Sequence, residues 1–129
     1  MIWADTNILL RLITRQSVDQ YNRVMAFLEI TTAPIFVHPA HICEALYVLE
    51  GKTYQRTSLE VTKELQAALS NQHFEVIDAT AVNNALSAYP ASNLDFPDVL
   101  ICELARVGGG QVLTFDRKMA RLSVPLITP

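Results

Sequence analysis

MIWADTNILLRLIT (residues 1–14) decides how the chain is read. Met1 to Ala4 is short and apolar and stops at Asp5-Thr6-Asn7, as a buried strand does on reaching a polar turn, and Ile8 to Ile13 then returns to helical spacing. Asp5 therefore stands at the carboxyl end of a first strand. Downstream, Ser17 with Gln20 has the spacing of a capping box, and Tyr21, Val24, Met25 and Leu28 recur at i, i+3, i+4 and i+7, which predicts a helix over residues 18–30. Pro34 to His38 reads as a second strand. Ile42, Ala45, Leu46 and Leu49 then form the stripe of a helix that carries Glu44.

The same alternation continues. Thr57 and Glu60 form a second capping-box pair ahead of Leu59, Thr62, Leu65 and Leu69, and Phe74 to Ile77 is a third strand ending at Asp78. Thr80 is placed to cap a helix with Val82, Ala85, Leu86 and Tyr89 on one face, and Pro90 to stop it. Asp95-Phe96-Pro97-Asp98 opens a helix through about Val107, with Pro in its first turn and acids where the helix dipole favours them; Gly108 to Gly110 ends it as a cap and turn. Gln111 to Phe115 is a fourth strand, Asp116 to Leu122 a short helix, and Val124 to Thr128 a fifth strand or tail. Strand followed by helix throughout predicts an α/β fold: a parallel sheet of four to five strands with helices on both faces. No internal repeat shows at a fixed period.

With 129 residues the chain falls in the size range of one domain, so residues 1–129 are expected to form a single unit around one core. Half of it is hydrophobic and only four residues are Gly, which excludes a disordered or low-complexity chain. No apolar run approaches the roughly 18 to 20 residues of a membrane-spanning helix and no basic leader precedes the first strand, so a cytoplasmic protein without membrane contact is expected. Cys43 and Cys102 are too few for a disulfide framework and read as small buried hydrophobes. A net charge of −3 provides no broad basic surface, so any contact with nucleic acid must be local or mediated by a metal.

In open α/β sheets ligands bind beyond the carboxyl ends of the strands, where Asp5 and Asp116 lie; Glu44 follows the second strand and Asp98 opens the helix before the fourth. Each acid has an ordinary structural reading as well. Asp5 and Asp116 can form turns or caps, Asp95 and Asp98 can be a capping pair, and Glu44 can be a solvated helix acid. Taken together they have a chemical consequence, since two carboxylates about 4 Å apart repel by about 4 kcal/mol at an effective dielectric near 20, and a cluster needs a cation or raised pKa values. All-oxygen ligation suits Mg²⁺ or Mn²⁺, which can acidify a bound water and offset charge developing on a phosphodiester. His38, His41 and His73 lack partners at zinc spacing, and His41, one turn before Glu44, is at most a neighbour of a ligand.

Four stretches in order, Asp5-Thr6-Asn7, "HICEALYVLE" around Glu44, "DFPDVLICELA" and "VLTFDRKMARL", resemble the PIN-domain family, and most of all VapC-type toxins, over essentially the whole chain. The resemblance implies a three-layer PIN-like fold and a divalent-metal endoribonuclease acting on RNA, commonly a homodimer held inactive by a small antitoxin. It assigns metal binding and catalysis to Asp5, Glu44, Asp98 and Asp116, with Asn7 and Thr114 as supporting polar groups and Asp95 as a more variable flanking acid. Pro97 stands where the family often has Ala. Arg11, Arg15, Arg117, Lys118 and Arg121 are the basic residues nearest the acids in sequence and the candidates for RNA phosphate contacts. A stand-alone RNA-processing PIN nuclease shares the same acids. A phosphoacceptor receiver domain, with Asp78 as acceptor, is a further alternative, although a receiver wants adjacent acids after its first strand and Asp5 is followed by Thr6 and Asn7.

Overall fold

In the computed structural model, which describes residues 1–129, the elements begin and end where local chemistry dictates. Strand β1 (Ile2–Ala4) passes into helix α1 (Thr6–Thr14) through Asp5, whose carboxylate caps the helix by accepting the Ile8 amide at 3.3 Å. Helix α2 (Val18–Ile30) starts at Ser17, whose hydroxyl accepts the Gln20 amide. Strand β2 (Ile35–Val37) leads to α3 (Pro39–Glu50), with His38 as N-cap and Pro39 in the first turn, where its missing N–H is not needed. Helix α4 (Ser58–Leu69) opens with a complete capping box: the Thr57 hydroxyl accepts from Glu60 N at 3.2 Å, and the Glu60 carboxylate accepts from Thr57 N at 3.1 Å. Strand β3 (Phe74–Val76) follows.

These elements make the first of two compact units, Met1–Ile77. Its three strands are parallel in the order β1-β2-β3, with Ile2 opposite Ile35 and Ile35 opposite Phe74. Strand alternation puts Ala4, Ile35, Val37 and Phe74 in the interior, while Trp3 stacks at 5.1 Å on Phe36, its neighbour in the ladder. Helix α1 packs against α2, α3 and α4, so Leu9, Ile42, Leu49 and Leu65 are fully buried, each contributing about 1.5–3 kcal/mol. Leu59, expected in the α4 stripe, instead points outward and is half exposed; Val61 takes the interior position beside Thr62, Leu65 and Leu69.

The second unit is Asp78–Pro129. Helices α5 (Ala79–Ser92) and α6 (Phe96–Val107) pack on each other, with Tyr89 edge-on to Phe96 at 5.6 Å. Strand β4 (Val112–Leu113), a 3-10 helix (Arg117–Leu122) and β5 (Leu126–Ile127) follow, β4 and β5 forming a parallel pair. Cys102, Val112, Met119 and Val124 form a buried cluster there.

Five short strands, all paired in parallel and alternating with helices, are the α/β class expected; their ladders fall into a set of three and a set of two. Two expected helix ends move. Helix α5 begins at Ala79 after Asp78, which adopts a left-handed conformation and makes no side-chain cap, so Thr80 lies inside the helix rather than ahead of it. Pro90 does not stop α5, which runs on to Ser92 and ends at a left-handed Asn93. The Ser92 hydroxyl donates to Tyr89 O at 2.8 Å and accepts the Leu94 amide at 3.1 Å, closing the turn after the proline.

Candidate active site

In the first unit the acids are held by neighbours. Asp5 sits at the junction of β1 and α1, exposed, with one oxygen engaged by the Ile8 amide. Thr6, the first residue of α1, is only 7% exposed and directs its hydroxyl away from its own helix. That hydroxyl donates to Glu44 Oε2 at 2.9 Å and lies 2.9 Å from His41 Nδ1. A threonine hydroxyl has one proton, so if it goes to Glu44 the bond to His41 must run the other way, with Nδ1–H donating to Thr6 Oγ1. Glu44 itself is exposed on α3, and its Oε1 has no hydrogen-bond partner in the protein.

Asp5 and Asn7 also line a groove of about 600 Å³ that continues past Arg11, Gln20 and Arg23 along α2. Arg11 Nε donates to Gln20 Oε1, which ties the guanidinium to the groove wall. Arg15, exposed, lies over the Tyr21 ring at 4.7 Å.

In the second unit the acids crowd one another. Asp95 occupies the N-cap position of α6 but makes no side-chain cap bond, so the capping reading of Asp95 and Asp98 is not realised. The Asp98 carboxyl is pushed above its usual range, first by burial and then by the negative charges of Asp95 and Asp116. Asp116 caps the 3-10 helix through the Lys118 amide at 2.9 Å, and Thr114 Oγ1 accepts the Asp116 amide at 2.9 Å, fixing the backbone that carries the acid. Arg117, Lys118 and Arg121 are exposed. The chain's ion pairs are Arg23–Asp19, Arg56–Glu64 and Arg106–Glu103, and His41 lies 3.8 Å from Glu44, so no cation answers Asp5, Asp95, Asp98 or Asp116.

Such a donor set, carboxylate oxygens without a basic partner, suits a hard divalent cation. No group of three or more His, Cys, Asp or Glu side chains is arranged to hold an ion as it stands. The fit is therefore one of chemistry and charge rather than of a preformed cage.

A family model described as PIN domain matches residues 2–125. The chain belongs to the PIN-domain family. The PIN match spans both compact units and leaves no place for the phosphoacceptor reading of Asp78. PIN domains are generally nucleases, and those nucleases generally use divalent metals. No curated protein matches the chain. Among solved structures, a chain in the crystal structure of VapBC2 from Rickettsia felis, bound to a DNA fragment from their promoter, is similar at 18% identity, covering 99% of this PIN domain and 98% of that chain with a TM-score of 0.40. A likeness that loose carries nothing further. No helix of this PIN domain is long and apolar enough to cross a membrane.

Sequence reasoning missed Thr6 and undervalued His41. Thr6 reads locally as a turn residue, and His41 as an isolated imidazole. Their link to Glu44 depends on α1 packing against α3, which no spacing within one segment reveals.

Proposed function

We propose that this PIN domain is an endoribonuclease dependent on Mg²⁺ or Mn²⁺, with Asp5, Glu44, Asp98 and Asp116 as metal ligands, and that it is the toxin of a toxin–antitoxin pair. The observation that carries the metal reading is the charge state of the second unit. Asp98 is crowded by Asp95 and Asp116 with no basic side chain to relieve it, which is the electrostatic condition a divalent cation corrects. The motif resemblance implies this ligand set, and the free Oε1 of Glu44 and the second oxygen of Asp5 are donors that support it.

When bound, the ion supplies acidification of a water molecule and neutralisation of charge developing on the phosphodiester. The protein's own contribution is to orient. Thr6 holds Glu44, Thr114 fixes the backbone at Asp116, and Asn7 stands beside Asp5 in the groove. Arg11, Arg15, Arg117, Lys118 and Arg121 are proposed as local phosphate contacts, which suits a chain whose net charge of −3 rules out a wide basic surface.

Total cellular RNA incubated with the purified protein should acquire new, mappable ends with Mg²⁺ or Mn²⁺ and none with EDTA; EDTA-resistant cleavage, or none in either metal, overturns the nuclease reading. The toxin reading is tested separately. Expression alone should arrest bacterial growth, co-expression of an adjacent small gene should reverse the arrest, and Asp5→Asn should be harmless. A wild type harmless at high expression removes the toxin role and leaves the nuclease. Sedimentation of the purified chain tests the homodimer that the family resemblance implies.

A further inference from the structure

We propose that His41 and Thr6 are positioning residues for Glu44, forming a relay in which His41 Nδ1–H donates to Thr6 Oγ1 and the Thr6 hydroxyl donates to Glu44 Oε2. The metal consequence of this relay rests on the reading of Glu44 as a ligand. Direct contact between the imidazole and the carboxylate cannot do the work, because His41 Nδ1 and Glu44 Oε2 are 3.8 Å apart, too far for a hydrogen bond. The two 2.9 Å bonds through Thr6 are of ordinary strength and close the gap.

Burial of Thr6 supports the relay. The hydroxyl of a buried residue needs its hydrogen bonds satisfied, and here both its donor and its acceptor capacity are used. Without the relay Glu44, exposed on the middle of α3, would sample its rotamers freely. With it, Oε2 is spoken for and Oε1 is presented in one place. The relay also fixes a tautomer: Nδ1 must carry a proton, whatever the state of Nε2.

Manganese titration calorimetry on the wild type and four variants tests the consequence. Thr6→Val and His41→Ala should weaken Mn²⁺ binding by about 10- to 100-fold, the usual effect of removing a group that orients a ligand, while Thr6→Ser and His41→Asn, which keep a donor in place, should stay near wild type. Cleavage by His41→Ala should recover as Mn²⁺ is raised, which a purely structural defect would not allow. Ring ¹⁵N spectra of the metal-free wild type should show His41 protonated at Nδ1. Wild-type Mn²⁺ affinity in both Thr6→Val and His41→Ala, or a His41 ring protonated at Nε2 alone, overturns the proposal. If Thr6→Val does not fold, His41→Ala against His41→Asn carries the affinity test. A wild type that binds no Mn²⁺ refutes Glu44 as a ligand, and the ring spectrum then still decides the relay by itself.

Discussion

Asp5 and Glu44 in the first unit have hydrogen-bonding neighbours that set their positions, whereas Asp98 in the second has neighbours that repel it. The same side-chain chemistry is thus kept in two ways: in one unit the protein supplies the donors, and in the other it leaves a deficit of positive charge. Removing a carboxylate should therefore have similar effects on cleavage in the two units but different effects on stability.

The largest expected effect is on cleavage. Asp5→Asn and Asp98→Asn should each lower the rate by about 100-fold or more, since losing a ligand removes several kcal/mol of transition-state stabilisation. Calorimetry should then separate them. Asn at position 5 keeps an oxygen for the Ile8 amide and should leave stability unchanged. For Asp98, burial and neighbouring charge raise the folded-state pKa above 3.8. The folded chain holds that proton more tightly than the unfolded chain, so its stabilising contribution is full below the unfolded value and is lost as pH rises through the raised one. Asp98→Asn should accordingly match the wild type in acid and become the more stable of the two towards neutral pH. Equal stability at all pH values would erase the contrast between the units.

Metal should act next in size. A cation bound only by the folded protein adds about 2.7 kcal/mol at a hundred times its Kd, or roughly 10 °C in Tm for a chain of this length. Differential scanning fluorimetry should show this gain in the wild type and a reduced gain in Asp98→Asn. A Tm indifferent to millimolar Mn²⁺ and Mg²⁺ would mean that the charge deficit in the second unit is not a cation site.

A smaller effect tests how the second unit carries Asp116. Buried Glu103 accepts from Arg106 Nε at 3.2 Å, and Arg106 Nη2 donates to Leu122 O at the end of the 3-10 helix that begins after Asp116. Glu103→Ala should cost about 1–2 kcal/mol, below the figure for a fully buried pair because Arg106 can turn to water. Denaturant unfolding measures it; no change in midpoint would show that the contact is incidental. Smallest of all, Thr62 in α4 buries a hydroxyl with no partner, and Thr62→Val should stabilise the chain by up to about 1 kcal/mol without altering cleavage.

Much of this was legible in the sequence because it is local. Asp5 at a strand end, the Ser17 cap and the complete Thr57–Glu60 box depend on residues three apart and were found where expected. Pro90 misled because the single N–H it lacks is not enough to end the helix, which runs on to Ser92, and Ser92 with Asn93 completes the end beyond it. Asp95 misled differently: its position is an N-cap, but the sequence does not say which way its carboxylate turns. The relay to Glu44 was out of reach, since Thr6 and His41 meet only through the packing of α1 on α3.

Brevity of the strands has a consequence for how the molecule comes into being. Each ladder in the first unit joins three-residue strands whose partners are far along the chain, residues 2–4 with 35–37 and these with 74–76. Closing such distant pairs carries an entropic cost before any contact rewards it, while α1 through α4 can begin to form from neighbouring residues. On a ribosome β3 emerges last of the three, so the sheet of the first unit is complete only once residues 74–76 are free to pair with β2. A chain assembled in this order completes the sheet of its first unit before Asp98 and Asp116 have emerged.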